Sequence, residues 1–388
     1  MKYTLLLAWR YMSFHRIRSI VMVLCIALVF YLPIAVQLLV HHYSKTLGER
    51  ARVTPLLAGA VGSRFDLLFN SLYFKGEVER ELSMADVERV REGGLGTPIP
   101  LAIKYSARKF PIVGTNLDYF ALRGLTLASG VPPMMLGDAA IGSEVAAALD
   151  LKPGSYILSD DQNLYDISAA YPLRMKVVGV LNRTGTPDDW AVIVDVKTTW
   201  VIGGIGHGHQ KSDELNPDAV LGASESNVTL NASVVEYNEI TPENINTFHF
   251  HGDPKTFPIT AMIIDPKDRK SATILKGRFA VWDEAQLVVP DKALGEVMDL
   301  ILRIKRFFDA NSVLVSLAML MFLLLVILLS LRIRQREMET MFKIGCDRTM
   351  VFWLQSVELC MVMFLGIAIA AVLSGVSVLV VVEMRMIL

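Results

Sequence analysis

The sequence predicts a membrane protein: an α-helical transmembrane domain of three spans, with a large α+β domain inserted between spans 1 and 2. Two observations predict this class. Of the 388 residues, 53% are hydrophobic and 20% are charged, which is too apolar for an ordinary globular protein and too charged for one buried entirely in lipid. The apolar residues also concentrate in three runs almost free of charge, each about 20 residues or longer, which is the length of a spanning helix.

These three runs divide the chain into its predicted segments. The spans are residues 20–40, 311–331 and 353–382. The remaining segments are a cytoplasmic amphipathic helix (1–19), an external domain (41–310), a cytoplasmic loop (332–352) and a short tail (383–388). The N-terminal helix places Leu5, Trp9 and Met12 on one face, which suits a helix lying at the lipid surface and equally suits contact with a partner protein.

The orientation follows from the basic residues of the short segments. Residues 1–18 contain four Lys or Arg and no acid, and the loop 332–352 contains five Lys or Arg against three acids. The positive-inside rule places both in the cytoplasm, so residues 41–310 lie outside. This external domain has 34 acidic against 28 basic residues and no cysteine, which argues against a nucleic-acid partner and excludes a disulfide or a CxxC metal motif there.

The external domain shows mixed helical and strand patterns. Ser83 is predicted to cap a helix that has acids in its first turn and ends at two glycines. Residues 64–74 and 139–149 are also predicted helices. Short apolar or alternating runs predict strands, among them MKVVGVL (175–181) and WAVIVDV (190–196).

The segment RIRQREMETMFKIGCDRTMVFWLQSVE, residues 332–358, has a distinctive spacing of charged residues and glycine. Its marked positions are Arg336, Glu337, Gly345, Arg348 and Glu358. This pattern resembles the cytoplasmic loop of FtsX/MacB-like ABC permeases. The resemblance implies that these five residues couple the chain to an ATPase, with Gly345 letting the backbone turn back toward the membrane. The alternative is an ordinary charged loop whose arginines anchor the adjoining helix.

The resemblance extends over most of the chain. Residues 122–202 contain LRGLTLASG, AAIGSEVAAAL, KPGSYI and MKVVGVLNRTGTPDDWAVIVD in that order, and they look like the periplasmic domain of MacB-type permeases. The resemblance implies a multi-pass permease of the bacterial inner (cytoplasmic) membrane, with its large domain in the periplasm. One departure stands out, because the family has four spans and only 36 residues follow Phe352 here.

By resemblance, the chain is a non-catalytic subunit that forms a homodimer and works with a separate ABC ATPase. No GxxxxGK[ST] phosphate-binding loop is present in the sequence, so ATP and Mg²⁺ are expected on the partner, with no cofactor in this chain apart from zinc at the histidines described below. ATP hydrolysis then moves the periplasmic domain, a mechanotransmission that exports or extracts a periplasmic substrate, either as an efflux pump working with a periplasmic adaptor or as a lipoprotein-releasing machine. Two alternatives stay open: an FtsX-like regulatory module acting on another periplasmic protein, and a metal-linked ABC system.

Two further patterns suggest sites. Gly366, Ala370 and Ser374 recur at helical spacing in the third span, followed by Ser377, and small residues at this spacing let helices approach closely. They are predicted to pack against another span, and they are candidates for a dimer seam.

The external domain also contains two His-x-His pairs, His207 with His209 and His249 with His251. In a strand, residues i and i+2 point the same way, so each pair can present two imidazoles to one Zn²⁺ or Cu²⁺. Asp213, Glu214 or Asp253 are candidates to complete the shell. The alternative is that they are ordinary loop histidines, since the sequence does not show that the two pairs meet.

Overall fold

The computed structural model describes residues 2–161, 172–209, 220–223, 228–230, 237–333, 339–340, 343, 345 and 347–384. Within 2–4, 42–46, 220–230, 381–384 and parts of 323–348 only the backbone is described. The chain forms two compact units: Gly48–Gly295 is one, and Met1–Leu47 with Glu296–Leu388 is the other.

The helices alternate with short strands in the first of these units and are long in the second. They are α1 (Lys2–Phe14), α2 (Arg16–Val53), α3 (Arg64–Tyr73), α4 (Met84–Glu92), α5 (Leu117–Arg123), α6 (Ser143–Leu149), α7 (Val196–Ile202), α8 (Arg269–Phe279), α9 (Pro290–Ile333) and α10 (Arg348–Met384). The strands all fall within Gly48–Gly295. They are β1 (Leu56–Ala60), β2 (Leu82–Ser83), β3 (Gly96–Leu101), β4 (Ser106–Ala107), β5 (Phe110–Thr115), β6 (Leu127–Gly130), β7 (Asp138–Ile141), β8 (Tyr156–Leu158), β9 (Arg174–Leu181), β10 (Val192–Asp195), β11 (Gly206–Gly208), β12 (Val220–Ala223), β13 (Val228–Leu230), β14 (Phe248–Phe250), β15 (Pro258–Ile259), β16 (Ala261–Pro266) and β17 (Ala285–Val288).

A four-stranded antiparallel sheet has the order β17–β1–β16–β3. All five residues of β1 are buried, as expected for a strand with neighbours on both edges and both faces covered. Val87 and Val90 of α4 and Leu275 and Phe279 of α8 are buried in the same hydrophobic cluster. The sheet and these two helices therefore pack around one shared hydrophobic core.

A seven-stranded mixed sheet has the order β4–β5–β10–β7–β9–β6, with β8 also paired to β9. The pairs β5–β10 and β7–β9 are parallel and the others antiparallel. Alternate residues of β9 are buried, which is the period of a strand with one covered face. A bridge between Ala102 and Gly114, with N–H···O distances of 2.8 and 2.9 Å, links the end of β3 to β5.

The helices predicted at 64–74 and from Ser83 are confirmed as α3 and α4, and the Ser83 amide donates to the Asp86 carboxylate at 2.8 Å. The helix predicted over 139–149 is wrong in its first part. Residues 138–141 form β7, whose Ala139, Ala140 and Ile141 are fully buried between β10 and β9, and the helix begins only at Ser143. Tertiary burial therefore overrides the helical preference of the alanines.

In the helical unit, α1 and α2 pack against α10, with Met12 of α1, Met22 and Ile26 of α2 and Val362 of α10 buried together. By length and composition, two described helical segments suit a membrane crossing, Arg16–His41 and Thr349–Val380. The sequence predicted three. The predicted span 311–331 lies within α9, where several side chains are outside the described ones, so the described residues give two candidates and the third stays a prediction.

Candidate functional site

The two His-x-His pairs lie on neighbouring strands of one small antiparallel sheet. Strand β11 pairs with β14 in a register that sets His207 opposite His249, with Gly206 opposite Phe250 and Gly208 opposite Phe248. Because side chains alternate across a strand, the register puts His207 and His249 on one face of the pair and the glycines and phenylalanines on the other. His209 and His251 continue the histidine face at its two diagonal ends. We call these four residues the histidine face.

The opposite face anchors the strand pair to the core. The Phe250 ring lies 6.2 Å from Trp200 and 5.8 Å from Phe257, centroid to centroid. A Cβ at Gly206 would lie 2.6 Å from the Phe250 ring, and a Cβ at Gly208 would lie 2.6 Å from Phe248. Because glycine has no side chain, the two phenylalanine rings can pack directly against the β11 backbone at these positions.

The imidazoles of the histidine face lie close together, and His207, His209 and His249 each offer a ligand atom close enough for one shared ion. The ring nitrogens of His207, His209 and His249 all lie within 4.8 Å of each other, and His207 Nε2 is 3.4 Å from His251 Nε2. His249 Nδ1 is 3.1 Å from the Thr247 carbonyl oxygen. A carbonyl can only accept, so Nδ1 donates, and the lone pair of a neutral His249 is on Nε2, the atom left for a ligand.

The acidic residues suggested as further ligands are placed elsewhere or are not described. Asp253 caps the 3-10 helix Pro254–Thr256, where its carboxylate accepts from the Lys255 amide at 2.9 Å. Asp213 and Glu214 lie outside the described residues. Among the described residues, imidazole nitrogens are thus the donors that converge here.

A second polar cluster is buried near the end of α2. Arg50 makes a two-pronged ion pair with Asp188, in which Nη2 donates to Oδ1 at 3.1 Å and Nη1 donates to Oδ2. Their side chains are 3% and 1% exposed. Tyr119 accepts from Arg50 Nη2 at 2.9 Å and donates to Asp188 Oδ1 at 2.7 Å. Arg123 donates to Thr54 Oγ1 at 2.8 Å. We call Arg50, Tyr119 and Asp188 the Arg50 network.

Burial and the neighbouring charges shift the pKa values of the groups in and around the Arg50 network. Burial alone would raise the pKa of Asp188, but the charge of Arg50 and the hydrogen bonds from Arg50 and Tyr119 outweigh it and hold that pKa at about 2. Burial raises the pKa of the Tyr119 hydroxyl to about 12. Burial and the charge of Arg50 together lower the pKa of Arg123. The network is therefore an ionised pair bridged by a neutral phenol at any physiological pH.

The residues predicted to couple to an ATPase are only partly described. Arg336 and Glu337 lie outside the described residues, and the side chain of Arg348, the first residue of α10, is not described. Gly345 has φ +93°, a conformation that a side chain would strain. Glu358 is 7% exposed and its Oε1 lies 2.5 Å from Arg18 Nη2, so it forms an ion pair between α10 and α2.

The predicted helix-packing residues contact α2 of the same chain. A Cβ on Gly366 would lie 2.6 Å from Ile26 Cγ2 and 3.2 Å from the Val23 carbonyl oxygen. Ala370 and Ser374 are fully buried, and Ser374 Oγ donates to the Ala370 carbonyl at 2.7 Å. The stripe of small residues thus marks the close crossing of α2 and α10.

No protein-family model matches the sequence, and no curated protein matches it. Among solved structures, the periplasmic region of MacB from Actinobacillus actinomycetemcomitans aligns with 64% of this chain and 96% of its own, at 11% identity and a TM-score of 0.37. The extracellular domain of the ABC-type transporter YknZ from Gram-positive bacteria aligns with 61% of this chain and 99% of its own, at 11% identity and a TM-score of 0.33. Similarity of this size carries no argument about function.

Proposed function

We propose that the chain is the permease subunit of an ABC transporter of the MacB/FtsX type, located in a bacterial inner membrane with its α/β unit in the periplasm. Three features support the proposal: the ordered motifs of residues 122–202, the charged loop of residues 332–358, and two described helical segments apolar and long enough to cross a membrane. A separate ATPase supplies the energy, and two copies of the chain assemble with two copies of that ATPase.

The observation that carries the proposal is the continuity of α2. This helix contains the candidate span Arg16–His41 and runs on to Val53. Its last turns supply Arg50 to the buried network with Asp188. In the proposed mechanism, this helix is the covalent link by which a movement of the span reaches Arg50, whose side chain is buried in the α/β unit. In this reading the spans transmit motion and need not form a substrate path.

The proposal is tested by purifying the chain from its native cell in a mild detergent and identifying what co-purifies by mass spectrometry. We expect an ABC ATPase together with a periplasmic protein. An adaptor among the partners would favour export, and a cell-wall hydrolase would favour the FtsX-like regulatory role. If no ATPase appears under conditions that preserve the dimer, the chain is better described as a membrane-anchored periplasmic binding protein.

Reversing one charge in the loop is expected to abolish the association. Glu337→Lys places a cation where the resemblance expects an acidic contact with the ATPase, and like charges across an interface cost several kcal/mol. The readout is the amount of ATPase that co-purifies with the variant. Glu79→Lys, the same reversal at an exposed residue of the α/β unit, is the control and should leave the association unchanged. Wild-type recovery with Glu337→Lys would remove this residue from the contact.

A further inference from the structure

We propose that the histidine face binds one divalent transition-metal ion, Zn²⁺ being the probe of choice, through the imidazoles of His207, His209, His249 and His251. The proposal does not depend on the function proposed above, because it rests on the strand pair β11–β14 alone. Neutral imidazole is a good ligand for zinc, copper and nickel, and four nitrogen donors satisfy the tetrahedral preference of zinc.

The spacing of the nitrogens fits one shared ion. A tetrahedral zinc with Zn–N bonds of about 2.0–2.1 Å separates its ligand atoms by about 3.4 Å. His207 Nε2 and His251 Nε2 are already 3.4 Å apart. The set of His207, His209 and His249, whose nitrogens lie within 4.8 Å of one another, closes to that distance by side-chain rotation of roughly an ångström.

Neighbouring residues fix the orientation of His249 and the position of strand β14. The His249 Nδ1–H is directed at the Thr247 carbonyl, and a hydrogen bond of this kind to a backbone oxygen sets the tautomer and orientation of metal-binding histidines. Phe250 anchors β14 through Trp200 and Phe257. The site is thus supported on its own strands, and its ligands come from segments 40 residues apart in sequence.

The site is open to ions from solution. His251 is exposed, and His207 and His209 are half-buried. The rings are packed against one another, since the His207 ring centroid lies 4.8 Å from the His249 centroid, edge to face, and 4.8 Å from the His251 centroid, at a tilt. A cation bound among these rings accepts a lone pair from each imidazole that it contacts.

The test is calorimetric titration of Zn²⁺ into the full chain in detergent, purified with a tag that contains no histidine and stripped with a chelator. We expect one zinc per chain and a rise in melting temperature that a chelator reverses. Titration with Co²⁺ is expected to give the intense visible absorption of a tetrahedral site, which exposed histidines binding loosely would not produce. No heat and no melting shift with either ion would overturn the proposal.

Two variants separate the histidine face from the other histidines. His207→Gln with His249→Gln is expected to lose stoichiometric zinc binding and the cobalt spectrum, while melting in chelator as the stripped wild type does. His41→Gln with His42→Gln changes an equal number of histidines outside the site and should keep both signals. Equal zinc binding by the two double variants would overturn the assignment. Should the first variant melt early in chelator, the single His251→Gln variant, altered at the exposed end, repeats the comparison.

Discussion

Replacing Asp188 with Asn is expected to lower the free energy of unfolding of the α/β unit by about 3–5 kcal/mol. The substitution leaves the size of the side chain almost unchanged but removes the charge that balances Arg50, whose side chain is only 3% exposed. A buried cation without its counterion must then lose the hydration it would have in the unfolded chain, and that loss accounts for most of the expected effect.

The measurement is thermal unfolding in detergent followed by tryptophan fluorescence, since Trp190, Trp200 and Trp282 all lie in this unit. The expected change corresponds to a fall of about 10 °C in melting temperature. The control is Glu239→Gln, which breaks the more exposed pair with Arg174 and should cost about 1 kcal/mol or less. Similar losses in the two variants would show that the Arg50 network does not stabilise the unit in this way.

The same pair gives the protein a defined response to acid. The folded-state pKa of Asp188, about 2, lies below its ordinary value of 3.8. The carboxylate therefore contributes stability above about pH 4 that is lost as the pH falls toward 2, and the difference is worth about 2 kcal/mol. Asp188→Asn should remove this part of the acid dependence, so that its melting temperature falls less than that of the wild type over the same pH interval.

Replacing Gly366 with Leu is expected to destabilise the helical unit by about 1–3 kcal/mol. The side chain would enter the crossing of α2 and α10, where even an added Cβ would lie 2.6 Å from Ile26 Cγ2 and 2.7 Å from Ile26 Cβ. The Val23 carbonyl oxygen would lie 3.2 Å from the same Cβ, so backbone atoms as well as side-chain atoms must move. The two helices can accept the leucine only by moving apart.

Gly375→Leu is the matched control, because it lies on the same helix and a Cβ there meets nothing within 4 Å. Melting temperature and elution volume in detergent are compared for both variants, and only Gly366→Leu is expected to change. Adding Ile26→Ala to Gly366→Leu should recover part of the loss, since it removes the atoms that the leucine meets. Equal behaviour at positions 366 and 375 would contradict the close crossing.

One part of the histidine face can be predicted from the sequence and another part cannot. Each His-x-His pair is visible in the sequence, and the period of two correctly places both members on one side of a strand. The pairing of β11 with β14 is not visible, because the two segments are about 40 residues apart and register is set by the whole fold. The sequence does carry one signal for this pairing, the matching alternation of GHGH (206–209) and FHFH (248–251), in which glycine faces phenylalanine.

The Arg50 network was missed altogether by sequence reasoning. Asp188 stands in the TGTPDD turn that carries part of the family resemblance, but its partner lies 138 residues earlier at the end of a long helix. Nothing local to Arg50 distinguishes it from Arg52, which is exposed. Asp189 of the same turn accepts from the Thr184 and Gly185 amides at 2.8 and 2.7 Å. The TGTPDD motif, which carries part of the family resemblance, is therefore a turn held in place by two buried carboxylates.

The alternation in β11 and β14 has a consequence for how this surface can change. The residues that hold the strand pair in place, Gly206, Gly208, Phe248 and Phe250, occupy one set of positions, and the histidines occupy the other. Substitutions among the histidines therefore leave these four residues, and the ring contacts of Phe250 with Trp200 and Phe257, in place. A library that randomises only those four positions should yield mostly folded proteins, which makes the strand pair a ready scaffold on which new ligand chemistries can be selected.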